Sequence, residues 1–186
     1  ILTDLKNDSA IERRQFGIVD LEGRFVGFSG HENGAASLAQ QGRVPGTEIY
    51  YSIQGNILAS DEVVHDAVDA FEETQGSLTD RVMAAMMAAD AAGGDVRCTC
   101  ESEPLPDEGR MCTNRTSHVA YLLAADPEDL SGESFNDGDY ALYLNVHDEN
   151  LEPGDDQNPV LTLMKRYEAL PSAERADPGP RGAPSP

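Results

Sequence analysis

A strand-like stretch closing on Gln54-Gly55-Asn56 and a turn reading Gly93-Gly94-Asp95-Val96-Arg97 hold the residues of this chain best suited to chemistry. A strand that ends in Gly-Asn can aim the Asn56 amide at a developing oxyanion, or it can simply turn. In the second motif, paired glycines let the backbone approach another group closely, and Asp95 and Arg97 set a carboxylate beside a guanidinium. Read as function, this is the wall of a site, with Arg97 anchoring an anionic ligand or Asp95 orienting a nucleophile. Read as structure, it is a helix cap followed by a surface ion pair of small energetic weight. The candidate catalytic residues are Asn56 and Asp95; the candidate ligand-binding residues are Gln54, Gly55, Gly94 and Arg97.

Cys98-Thr99-Cys100 and Cys112 form the other constellation. Three thiols with His118 can ligate a metal, but the spacing fits no standard zinc pattern, and the four histidines are scattered, so no metal site is assigned. A bridge from Cys112 to Cys98 or Cys100 instead closes a loop of about a dozen residues, worth about 2–3 kcal/mol. Such a staple points to an oxidising compartment. Asn114-Arg115-Thr116 is a formal glycosylation sequon of a kind common by chance. No phosphate-binding glycine loop, His-Glu-x-x-His or Gly-x-Ser-x-Gly elbow occurs, and no cofactor is implied.

The elements that must position these residues are readable in outline. Arg14–Val19 and Arg24–Ser29 read as a hairpin, with Phe16 and Ile18 on one face and turn chemistry at Asp20–Gly23. The stretch from Gly30 to Gly46, rich in Gly, Ala, Ser and Gln, reads as a long loop. Ile49–Gln54 is a strand. Val64, Ala67, Val68 and Phe71 recur at helical spacing within 61–75, with Ser60 as the N-cap. Ser77 and Asp80 resemble a capping box opening a second helix. That helix carries a Leu78, Val82, Met86, Ala89 stripe suited to packing on a sheet and ends at Gly93-Gly94. Val119–Ala124 reads as a buried strand, with Tyr140–Val146 its neighbour. Pro159 opens a helix to about Leu170, since proline suits a first helical turn. Strands grouped rather than alternating with helices favour a layered α+β architecture.

The composition is that of one globular domain, 1–170, with a Pro/Gly/Ala-rich tail, 171–186, expected to be disordered. The net charge of -21, with Lys6 and Lys165 the only lysines, opposes binding to nucleic-acid phosphates and anionic lipid. No apolar run approaches the roughly 20 residues that span a bilayer. The start, Ile1-Leu2-Thr3, has neither an initiator Met nor a signal-peptide pattern, so the chain is expected to begin within a domain.

In order, these segments resemble the bacterial family known as domain of unknown function 1028. The stretches that carry the resemblance are 14–20 with Gly23-Arg24, Tyr51–Leu58, the helix pair around Ala70-Phe71-Glu72, and Gly93–Arg97. Leu144-Asn145-Val146 and Asn158-Pro159-Val160 resemble its closing strand and helix, so the likeness runs to about Leu170. Arg97-Cys98-Thr99-Cys100, Cys112 and Thr116–Val119 resemble the cysteine loop of a secreted-looking branch, which implies an extracytoplasmic location. The resemblance implies a four-layer αββα sandwich of N-terminal nucleophile hydrolase type, missing its first strands. It further implies amide-bond hydrolysis, in which a first-residue Thr, Ser or Cys attacks a carbonyl with its own α-amino group as base. Ile1 has no such group, so the nucleophile is expected outside the chain and this part alone is expected to be inactive. The expected partners are a small-molecule or peptide-like amide substrate and further copies of the chain. The alternative is a non-catalytic secreted binding module on the same fold.

Overall fold

The computed structural model describes residues 1–98, 115–126, 129, 138 and 140–175. Its described part is a mixed α+β arrangement of three antiparallel hairpins and their helices. After a helical turn, α1 (Leu2–Leu5), strands β1 (Gln15–Val19) and β2 (Phe25–Ser29) pair with Phe16 opposite Phe28 and Gly17 opposite Gly27. Their turn is set by Asp20, whose carboxylate accepts the backbone N–H of Glu22 and Arg24 at 3.0 and 2.9 Å. Gly23 there takes φ +76°, a conformation that costs glycine little.

Strands β3 (Ser37–Arg43) and β4 (Tyr50–Asn56) form the second hairpin, with Ser37 opposite Asn56 and Arg43 opposite Tyr50. The expected loop over Gly30–Gly46 is therefore a strand across its second half. Local propensity misleads here because β3 is held by tertiary context. Polar side chains of both β3 and β4 face the first hairpin, where the missing Cβ atoms of Gly17 and Gly27 make room. Gly17 lies against Ser52 and Gln54, and Gly27 against the Gln41 amide. The hairpins thus meet face to face through polar groups. Gln15 Nε2 donates to the Gly55 carbonyl at 2.6 Å, which ties the first hairpin to the second, and to Ser29 Oγ of its own hairpin at 3.0 Å.

On its other face the β3–β4 hairpin meets α2 (Glu62–Glu73), where Ala67 and Phe71 pack with Val44, Ile49, Tyr51 and Ile53. The N-cap of α2 is Asp61 rather than Ser60, and no side chain caps it. Helix α3 (Leu78–Ala91) opens with the expected capping box: the Asp80 N–H donates to Ser77 Oγ at 3.1 Å and the Ser77 N–H to Asp80 Oδ2 at 3.0 Å. Arg81, only 5% exposed, donates to the Phe71 and Glu72 carbonyls and so closes the C-terminus of α2. The stripe Leu78, Val82, Met86 and Ala89 faces β4 across a groove of about 440 Å³.

The third hairpin joins β5 (Val119–Ala124) to β6 (Leu142–His147). Ala120, Leu122 and Val146 enter the main core with Met83 of α3 and with Val160, Leu163 and Tyr167 of α4 (Pro159–Glu168). β5 is buried on one face only: Val119 and Tyr121 are 53% and 51% exposed, so the strand expected to be buried alternates instead. Pro159 does open α4, beneath the Asn158 cap, whose side chain accepts the Val160 N–H at 3.3 Å. Within the stretch expected to be tail, Ser172–Arg175 form a helical turn, α5, whose Arg175 carbonyl accepts a hydrogen bond from Thr79. Residues 176–186 lie outside the described set.

Candidate functional site

Helix α3 ends where the glycines require it. Gly93 and Gly94 take φ +103° and +54°, and the Gly94 N–H reaches back to the Ala89 carbonyl at 3.1 Å. The chain then runs beside the end of β4. Leu58 pairs with Asp95, the Ala59 N–H donates to the Gly94 carbonyl at 2.9 Å, and the Val96 N–H donates to the Ile57 carbonyl at 3.1 Å. On the other side the Asp95 N–H donates to the Thr116 carbonyl at 3.0 Å. Gly94 has no room for a side chain, because a Cβ would meet the Thr116 carbonyl and Cβ.

The strand end and the glycine turn therefore converge. Gln54, Gly55, Gly94 and Asp95 all line one cavity of about 270 Å³, together with Asp90, Thr116 and Ser117. Its remaining lining is apolar, chiefly Val63, Val64, Met86 and Val160. Asn56 and Arg97, the other two candidates, are not on that wall. Asn56 turns between the hairpins, where its amide donates to Gln15 Oε1 at 3.3 Å. Arg97 folds back on Asp95, with Nε at 2.9 and 3.1 Å from the two carboxylate oxygens and Nη2 closing on Oδ2.

The Asp95–Arg97 pair changes what each group can do. Burial raises the Asp95 carboxyl, but the Arg97 hydrogen bonds outweigh it and hold the group below its ordinary value. Asp95 is thus an ionised carboxylate already committed to a cation, suited to orienting a group and poorly suited to taking a proton. Arg97 in turn has its charge cancelled beside the cavity. The expected anchor for an anionic ligand is, in this arrangement, half of an ion pair.

Sequence inspection missed the polar side of the cavity. Asp90 Oδ1 accepts from Thr116 Oγ1 and, at 2.6 Å, from Asn158 Nδ2. Asp90 ends a helix, Thr116 precedes β5 and Asn158 caps α4, so residues 26 and 68 positions away from Asp90 meet there. The formal sequon ending at Thr116 was the signal nearest to this cluster, and it concerns other chemistry. Cys98 is a free thiol, buried close to Asp95; burial, then the Asp95 charge, pushes it above its ordinary value. A buried thiol of that kind is a weak nucleophile. Cys100 and Cys112 lie outside the described residues, so the staple expected between Cys112 and an earlier cysteine is not among the contacts described, and Cys98 has no part in one. Among the described residues no three His, Cys, Asp or Glu side chains are grouped to hold a metal ion, and no helix is long and apolar enough to cross a membrane.

No curated protein and no solved structure matches the chain. A family model does. The one described as Family of unknown function (DUF1028) matches residues 2–105, more than half of the 186, taking in the first two hairpins, α2, α3 and the glycine turn. The expected likeness of β6 and α4 falls beyond that match. The chain belongs to this family.

Proposed function

We propose that the chain carries the binding portion of an amide-bond hydrolase of N-terminal nucleophile type. The observation that supports this reading is the shared cavity at the end of β4, where Gln54 and Gly55 meet Gly94 and Asp95. An N-terminal nucleophile that is not among these residues attacks a carbonyl held at this strand end; its α-amino group takes the proton and passes it to the leaving nitrogen as the C–N bond breaks. Water then hydrolyses the acyl group from the nucleophile. Asp95 orients, and Gln54, the side-chain amide on the cavity wall, is placed for a developing oxyanion, whereas Asn56 is turned away and bonded to Gln15. In this reading the two facing hairpins and α2 stand for three layers of a four-layer sandwich. The half-buried face of Phe16, Ile18, Val26 and Phe28 is where a fourth would lie. The substrate is a small or peptide-like amide. The location is extracytoplasmic, with a staple from Cys112 to one of the earlier cysteines.

The experiment is an amidase and peptidase panel on the protein carrying its upstream residues. Turnover that is abolished when the first mature residue becomes Ala supports the reading, and no turnover of any amide counts against an enzyme. The second reading, a binding module without catalysis, is favoured by one observation: the carboxylate at the glycine turn is already committed to Arg97. Ligand binding unchanged by the same Ala substitution, with no turnover, selects it. Thiol counting on protein from its native compartment, denatured without reductant, should find one free thiol. Three would remove the staple and the case it makes for an oxidising location.

A further inference from the structure

We propose that the wall formed by Asp90 and Ser117 recognises a primary ammonium group carried on a short apolar body. This goes beyond the hydrolase reading and does not depend on it. Two carboxylates line the cavity, and only one has a cation: Asp95 is paired with Arg97, whereas no Lys, Arg or His among the described residues pairs with Asp90. Both bonds given to Asp90, from Thr116 and Asn158, fall on Oδ1. They are neutral donors that aim the carboxylate without cancelling its charge, and Oδ2 accepts none from described residues. Ser117, which lines the same cavity, has its Oγ buried with no hydrogen-bond partner. A carboxylate oxygen without a described donor and a buried, unmatched hydroxyl in the same cavity are two acceptors for an ammonium, the hydroxyl left at a desolvation cost until a donor arrives.

The rest of the lining sets the body of the ligand. Val63, Val64, Met86 and Val160 offer apolar surface with no donor or acceptor on the side chain. A volume of about 270 Å³ lies just under the usual range for drug-sized ligands, which suits an alkyl amine of a few carbons. The net charge of -21 raises the local concentration of cations and opposes anions. An anionic ligand would meet Asp90 at close range without Arg97 free to offset it.

The test is calorimetric titration of the whole chain with n-butylammonium and with n-butanol, its neutral counterpart, at matched ionic strength. The ammonium should bind at least about tenfold tighter than the alcohol, the scale of a charge-assisted hydrogen bond. Asp90→Asn should weaken ammonium binding by about tenfold or more and leave butanol unaffected. Since Asp90 also holds Thr116 and Asn158, Ser117→Ala serves as a second variant, expected to weaken the ammonium several-fold with the fold intact. Equal affinity for the two probes, no saturable ammonium binding by the unaltered chain, or ammonium binding unchanged in both variants overturns the proposal. Because no turnover is read, amidase activity can fail with this site standing, and this site can fail with amidase activity standing.

Discussion

At the scale of single residues, what decides the cost of a change is whether the neighbour can give way. A Cβ at Gly30 would run into the backbone of Glu12, whereas at Gly27 it would meet only the end of the Gln41 side chain. Gly30 also donates to the Arg14 carbonyl at 2.9 Å, so the contact cannot slide apart without losing a bond. We expect Gly30→Ala to destabilise by about 1–3 kcal/mol, the range for overpacking, and Gly27→Ala by less; urea unfolding of both checks the order. Gly27 costing more than Gly30 would show that the Gln41 amide is as rigid as backbone. Asp155 makes a different point. The Glu152 N–H, then Arg166 and Lys165, hold its carboxyl down at about 2. A folded value below the ordinary 3.8 means the stability it gives is complete above about 3.8 and is lost as pH falls through about 2. Asp155→Asn should therefore flatten the acid limb of stability between those values, and a limb of unchanged slope in thermal melts would assign it to other carboxylates.

At the scale of elements, the capping box is the clearest case of sequence dictating structure. Ser77 and Asp80 answer each other's backbone N–H groups, and the helix they start carries one wall of the groove and one of the cavity. Ser77→Ala should cost about 1 kcal/mol, the usual loss of a serine cap, and Asp80→Ala a comparable amount because the box is reciprocal. The double variant then tells them apart from independent contacts: costs that simply add would mean the two bonds do not cooperate. Caps, turns and the 3.6-residue period are local, which is why the first hairpin, α2, α3, the third hairpin and α4 were all legible. β3 was not, because its Ser, Ala, Gln and Gly form a strand only in tertiary context, with Gly27 opposite to receive the Gln41 side chain. The cavity was half legible for the same reason. Gln54, Gly55, Gly94 and Asp95 announce themselves by turn chemistry close in sequence, whereas Asp90, Thr116 and Asn158 meet only after α3, β5 and α4 have packed. Arg97 was legible both as an anchor for an anionic ligand and as half of a surface ion pair with Asp95, and the structure shows the ion pair.

At the scale of the molecule, 34 acidic against 13 basic residues make charge the term least balanced by anything in the fold. Among the described residues the ion pairs are mostly local and exposed, such as Arg14–Asp8, Arg24–Asp20 and Arg43–Glu48, and pairs of that kind contribute little each. They cannot offset a surplus spread over the whole surface. Compaction brings those carboxylates closer than they are in the unfolded chain, so self-repulsion opposes folding. Salt should act on this term more than on the local pairs, since its screening length falls from about 30 Å at 0.01 M to about 10 Å at 0.1 M, removing distant repulsion before contact attraction. Stability should rise with sodium chloride over that range. For a chain of this size each kcal/mol gained raises the melting temperature by about 2–4 °C, so a gain of that order is readily seen. Lysine-to-glutamine changes at Lys6 and Lys165 should steepen the response by enlarging the surplus. A melting temperature that falls with salt would mean that the local pairs outweigh the global field, and the acidic surface would then need another explanation than tolerance of its own charge.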